Sequence, residues 1–166
     1  MKILTLLLAA LFAAPALAQK PFAANGVPLG GSEADVKSRF PAAYCKALEW
    51  KSDAADRRCD DAHASLGGVE AKLTFYLKAN AIQAFDVRFD TKDLQRFVAD
   101  LKSSFGPPRS EANDVIYRKG KADREVYKVL WESGRDRAVL TAIKDRSRAQ
   151  LEVSRGNFAE EIYRVR

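Results

Sequence analysis

The reactive side chains in this sequence are few: Cys45 and Cys59, the single histidine His63, Ser65 two residues on, and the acid pairs Asp60-Asp61 and Glu160-Glu161. As a general base, His63 needs a nucleophile aimed at it. Residues two apart on a chain rarely aim at each other, and no G-x-S-x-G elbow is present. Residues 60–65 read as a polar loop ahead of Gly67-Gly68, with His63 exposed in it. Paired carboxylates can do acid–base work, but neither pair sits at the end of a secure strand in apolar surroundings. Both read as solvated charge. Asp53, Asp56, Asp60 and Asp61 suggest calcium by their number, yet the regular loop with a glycine at its sharp turn is missing. Gly30-Gly31-Ser32 has neither the preceding strand nor the lysine of a phosphate-cradling loop. The expectation is a non-enzymatic chain with no catalytic residue, metal site or cofactor.

The cysteines gain meaning from the start of the chain. Lys2 is followed by an apolar run over residues 3–14, a break at Pro15, and Ala16-Leu17-Ala18. That is the layout of a cleaved export signal covering residues 1–18, with the mature chain beginning at Gln19. The apolar run is shorter than the roughly 20 residues a spanning helix needs. The residue after the cleavage site is not cysteine, which closes the lipoprotein route. A periplasmic or secreted chain meets oxidising conditions, so Cys45 and Cys59 are read as a disulfide. Their spacing is not C-x-x-C, and with one histidine a Cys/His metal site is a poor reading.

Lys2 is the one charged residue in the signal, so cleavage takes the net charge from +6 to +5. The densest basic clusters, Arg118-Lys119-Gly120-Lys121 and Arg135-Asp136-Arg137, fall at expected turns. They read as solvated tips with some attraction for anionic lipid or an acidic partner face. Nucleic acid is not an expected partner outside the cytoplasm.

The elements follow from periodicity. Residues 19–31 form a looped lead-in anchored by Val27 and Leu29. Ser32 caps a short helix with Asp35 closing a capping box, Val36 and Phe40 share its inner face, and Pro41 ends it. Residues 47–50 and 56–60 are weak strand candidates. Residues 72–78 and 83–89 alternate clearly and form a hairpin about Ala79-Asn80. A second helix starts at Asp90 or Thr91, carries Leu94, Phe97, Val98, Leu101 and Phe105 on one side, and stops at Gly106-Pro107-Pro108. Strands are expected over residues 115–119, 125–132, 137–144 and 148–155, then a helical turn in which Phe158 and Ile162 pack down.

The second half lies on the first. Phe40-Pro41 matches Phe105 to Pro107 at an offset of 65, and Val36 matches Leu101 at the same offset. Leu73 to Leu77 falls on Val139 to Ile143, and Phe85 to Arg88 on Leu151 to Ser154, both at 66. The expected fold class is α+β: antiparallel sheet with helices on one face, built as two helix-plus-four-strand repeats over residues 19–90 and 91–166. The order Gly26, Val36, Phe40-Pro41 ahead of the strands resembles the exported proteins grouped with the β-lactamase inhibitory protein, which carry such a tandem repeat. It is also similar to the single unit of the outer-membrane assembly small lipoproteins. A hairpin disulfide like Cys45–Cys59 fits that resemblance. The missing lipid-anchoring cysteine, and the lack of a second disulfide in the second half, depart from it.

The function expected is therefore binding, as an inhibitor or an envelope assembly accessory. Tyr76 falls opposite Leu73, Phe75 and Leu77. On residues 125–132, Tyr127, Val129 and Trp131 share one face. Either an exposed sheet face carries such aromatics to a partner, or the tail or a helix covers them. Trp50, Lys72, Tyr76, Arg88 and Trp131 are the partner-binding candidates, with another envelope protein the expected partner. The alternative is a carrier, holding a small apolar or anionic ligand or lipid between helix and sheet.

Overall fold

A computed structural model describes residues 21–117, 119–120 and 122–164. The signal expected over residues 1–18 lies outside them, as do Arg118 and Lys121 of the first basic cluster. The lead-in folds as a small hairpin, β1 (Ala23–Ala24) and β2 (Val27–Pro28), turning at Asn25-Gly26. Both turn residues have positive φ, the geometry that favours Asn-Gly in two-residue hairpins. Helix α1 (Glu33–Arg39) begins with the expected capping box: the Ser32 hydroxyl accepts from the Asp35 amide, and the Asp35 carboxylate accepts from the Ser32 amide at 2.7 Å.

Four strands follow: β3 (Tyr44–Ala47), β4 (Arg57–Leu66), β5 (Val69–Lys78) and β6 (Ala81–Asp90). A 3-10 turn capped by Asp90 leads into α2 (Leu94–Phe105). Then come β7 (Ser110–Ile116), β8 (Arg124–Ser133), β9 (Asp136–Ile143), β10 (Arg148–Arg155) and the short α3 (Phe158–Glu161). The eight longer strands make one antiparallel sheet in the order β3-β4-β5-β6-β10-β9-β8-β7. Both halves contribute to it. Their last strands, β6 and β10, meet at its centre, and their first strands form its edges.

Alternation sorts the side chains. Leu73, Phe75, Leu77, Phe85, Val87, Leu140, Leu151 and Val153 lie on one face and pack against Val36 and Phe40 of α1 and Phe97, Val98 and Leu101 of α2. Each such side chain removed from water contributes about 1.5–3 kcal/mol before entropy is counted. The class is α+β as expected. Only α3 takes the opposite face, where Phe158 and Ile162 cover Tyr76 and Ala84.

Three local readings change. The first weak strand is residues 44–47, because the chain leaves the sheet at Leu48 and carries Trp50 across to the tail. Residues 60–65 are strand rather than loop: β4 runs through His63, with a bulge between Asp61 and Ala64. There the Asp61 carboxylate accepts from the His63 amide at 2.9 Å and satisfies the backbone that the bulge releases. β7 begins at Ser110. All seven of its residues are exposed, so it has no apolar alternation to announce it.

Candidate functional site

The sheet face opposite α1 and α2 carries its polar side chains in rows that the strand register fixes. One row runs Lys72, Arg88, Gln150, Thr141 and Lys128 across β5, β6, β10, β9 and β8. The next runs Asp60, Thr74, Asp86, Glu152, Val139 and Leu130 from β4 to β8, and a third runs Arg58, Tyr76, Ala84, Ser154, Arg137 and Glu132. An acidic row thus lies between two rows containing cations.

The acids in that row are not equivalent. Asp60 is neutralised: the Arg58 guanidinium grips it at 2.7 and 3.0 Å, and the Thr74 hydroxyl donates to it at 2.8 Å. Asp86 and Glu152 face each other across the central strand pair. The Gln150 side-chain amide donates to Asp86 at 3.0 Å and to Glu152 at 2.8 Å. The Arg88 guanidinium approaches Asp86 only to 3.4 Å. Removal from water lifts the Asp86 carboxyl above its ordinary range, against the opposing pull of Gln150 and Arg88. Glu152 is raised by the same desolvation and then by the Asp86 charge. Like charges directly opposite in a sheet are destabilising. A like-charged pair in that arrangement, with both pKa values raised, makes this the candidate site on the face.

Beside this pair, α3 leaves a cavity of about 100 Å³ lined by Tyr76, Asp86, Glu152, Phe158, Ile162 and Tyr163. Tyr163 is exposed at its rim, and Tyr76 is buried at its base with its phenol pKa raised, chiefly by desolvation. The pocket offers two acceptor carboxylates framed by aromatic rings, a combination that suits an ammonium or guanidinium group.

Of the sequence candidates, Lys72 and Arg88 are exposed and directly opposite one another on this face. Cys45 and Cys59 are joined, opposite each other in β3 and β4. Tyr76 and Trp131 are corrected as contact residues. Tyr76 is 8% exposed because Phe158 packs over it, the two rings tilted with centroids 5.4 Å apart. Trp131 is 2% exposed and points to the helical side, where its Nε1–H donates to the Gly106 carbonyl at 3.0 Å and Phe105 meets its edge. Trp50 is half-buried and holds the tail: its Nε1–H donates to the Ile162 carbonyl at 2.8 Å.

His63 is exposed and pairs with Glu70 at 3.0 Å rather than facing a nucleophile. Asp56 accepts from the Ala79 amide at 2.9 Å in the β5–β6 turn, and Asp61 serves the bulge. The one group of potential metal ligands that converges among the described residues is Glu33, Cys45 and Cys59. Its two sulfurs are consumed in the disulfide.

The residues that sequence reasoning missed are Asp86 and Glu152. The offset of 66 lays Phe85 to Arg88 on Leu151 to Ser154 and so matches these two acids, but that β6 and β10 pair and set them side by side is visible only in the sheet order.

Fold and face together describe an α+β protein with one open side to its antiparallel sheet. No protein-family model matches the chain, and no curated protein matches it. Among solved structures, it is similar to the crystal structure of a DUF4309 family protein (YjgB) from Bacillus subtilis subsp. subtilis str. 168. The identity is 12%, with 83% of this chain and 88% of that chain covered at a TM-score of 0.43.

Proposed function

We propose that this chain is a non-catalytic binding module of the periplasm or extracellular space that docks a partner protein on the open sheet face, with an arginine or lysine of the partner seated between Asp86 and Glu152. The disulfide fits an extracellular or secreted protein, and no helix among the described residues is long and apolar enough to cross a membrane. The observation that carries the reading is the cross-strand carboxylate pair, which one amide and a distant guanidinium leave under-neutralised.

Area sets the kind of partner. Six strands about 4.8 Å apart, each roughly 30 Å long, give a whole face on the order of 800 Å²; α3 and the Trp50 segment occupy part of it, and the open remainder suits an interface at the small end of the range. The charge rows supply register and selectivity. A basic side chain entering the acidic row brings its acidic neighbours toward Lys72 and Arg88 on one side and Arg137 on the other. Leu130 and Val139, half-buried at the end of the acidic row, add apolar contact.

The test is capture of a partner from the native envelope fraction by residues 19–166, with photo-crosslinking groups at Lys128 on this face and at Gln95 on α2. A stoichiometric protein crosslinked from position 128 and lost in Asp86→Asn/Glu152→Gln supports the reading. Equal capture by that variant, or crosslinks from position 95 alone, overturns it.

A further inference from the structure

A second cavity, of about 290 Å³, lies on the other side of the sheet, between α2 and the β1–β2 hairpin. We propose that it is a binding site for a small apolar molecule of about two fused rings that carries a hydroxyl or amine and no acid group. The space is a cleft open to solvent past the hairpin whose inner wall is made of core side chains, and concave sites of about this size with apolar walls and a few polar groups are where small molecules bind. Its floor is Val87 and Leu151 of the central strands, and its roof is Phe97, Leu101 and Phe105 of α2. Every one of these is apolar, and the floor side chains are almost wholly buried.

Size sets the ligand. An apolar cavity of about 150 Å³ takes a benzene; one about twice as large takes a bicycle. Polarity sets its head group. Asp100 and Ser104 stand at the rim, one helical turn apart on α2, and no lysine or arginine is among the lining residues. Asp100 lies against the β4–β5 turn. Its carboxylate lies 2.6 Å from where a Cβ on Gly67 would sit, and Gly67 has φ +56°, so a side chain at that position would displace it. Asp100 is the one charged lining residue and sets an acceptor carboxylate beside the α2 end of the mouth, while the Arg39 guanidinium lies at the hairpin end, 3.3 Å from where a Cβ on Gly26 would sit. The carboxylate opposes the anionic ligand that the net charge suggested for a carrier. The site is independent of the sheet face above: it lies on the opposite side and shares none of its charged residues.

The probes are 2-naphthol and 2-naphthoate, the same ring frame with a neutral donor or a carboxylate, titrated into residues 19–166 by calorimetry at neutral pH. Naphthol is expected to bind with Kd in the range of about 10–100 µM, and naphthoate at least about tenfold more weakly, since the rim sets an unpaired carboxylate against it. Ser104→Trp, at an exposed helix position, should close the mouth and abolish naphthol binding. Asp100→Asn should bring the two ligands to within about threefold of each other by removing the repulsion. Nuclear Overhauser contacts from naphthol protons to the Leu101 and Leu151 methyls locate the ligand independently of any variant. Absence of naphthol binding, equal binding of naphthoate, or contacts elsewhere would overturn the proposal.

Discussion

Asp86 and Glu152 stand opposite one another at the seam where the last strands of the two halves pair, and a single amide, that of Gln150, donates to both. The arrangement costs stability and offers a cation a place. Both carboxyls are lifted from ordinary values of 3.8 and 4.5, first by desolvation. The folded chain therefore holds protons that the unfolded chain has released. Stability falls as pH rises through the ordinary carboxylate range toward the raised folded values, where both groups ionise.

Glu152→Gln removes one of the two charges. The variant should be more stable than the parent at pH 7, by roughly 0.2–1 kcal/mol, the scale of a cross-strand like-charge contact. Its stability should also change less between about pH 4 and 6. Urea unfolding of parent and variant at pH 4, 6 and 7 gives both numbers. In the proposed interaction the same variant should lose partner affinity by more than about 1 kcal/mol. Stability gained while binding is lost separates a recognition site from scaffolding; a variant less stable at pH 7 with the parent's pH slope contradicts the account.

The disulfide anchors an edge. β3 is four residues long and pairs only with β4, and Cys45–Cys59 spans 14 positions. Closing a loop of about 15 residues is worth roughly 3 kcal/mol in the chain-entropy model. Reduction, or the double alanine variant, should lower stability by about that much and release the β3 amides to hydrogen exchange before those of β5 and β6. Loss of protection in β6 together with β3 would show that the edge is not the weak point.

Trp131 belongs to the core. Trp131→Ala should cost about 3–5 kcal/mol through the cavity it leaves. Trp131→Phe keeps most of the volume and gives up the bond to the Gly106 carbonyl, about 0.5–1.5 kcal/mol. Denaturant unfolding measures both. The phenylalanine variant should capture a partner as the parent does. Weakened capture by a fully folded Trp131→Phe would return this residue to the binding surface.

Strong alternation made the central hairpin β5–β6 and the helix α2 readable, since buried apolar side chains impose the period of the element that holds them. The capping box at Ser32 and Asp35 was readable because its chemistry is local. Most of what the sequence hid was set by partners far along the chain or by a lack of buried side chains. Tyr76 and Trp131 both alternate correctly, but what covers them is remote in sequence: the four-residue tail helix lands on Tyr76, and Phe105 at the end of α2 meets Trp131 on the other face. β7 has no buried residue to give it a period. The bulge at His63 rests on a carboxylate two residues away and mimics a polar loop in composition. Asp86 and Glu152 became a site only through the order in which the strands pair; as isolated acids in two alternating segments they read as solvent-facing polar positions.

The tail itself is held from a distance. α3 has four residues, too few to persist alone. Three contacts from the segment between β3 and β4 fix it. The Trp50 Nε1–H donates to the Ile162 carbonyl, the Trp50 ring stacks on Tyr163 with centroids 5.7 Å apart, and the Ser52 hydroxyl donates to the Glu161 carbonyl at 3.3 Å. Trp50→Ala should release α3 while the main core, which lies on the other face, stays folded. Tyr76 then loses the cover of Phe158, and its phenol, held up mainly by desolvation, should titrate closer to the ordinary value of 10.0. Asp86, raised by the same cause, should move down with it. Alkaline absorbance titration reads the tyrosine, and amide exchange of residues 158–162 reads the tail. Trp50→Phe retains the stack and loses only the hydrogen bond, so its effect should be smaller, about 0.5–1.5 kcal/mol of local stability. If Tyr76 titrates unchanged in Trp50→Ala while the tail amides exchange freely, then α3 is not what desolvates it, and the wall of the carboxylate pocket must be sought elsewhere on the sheet.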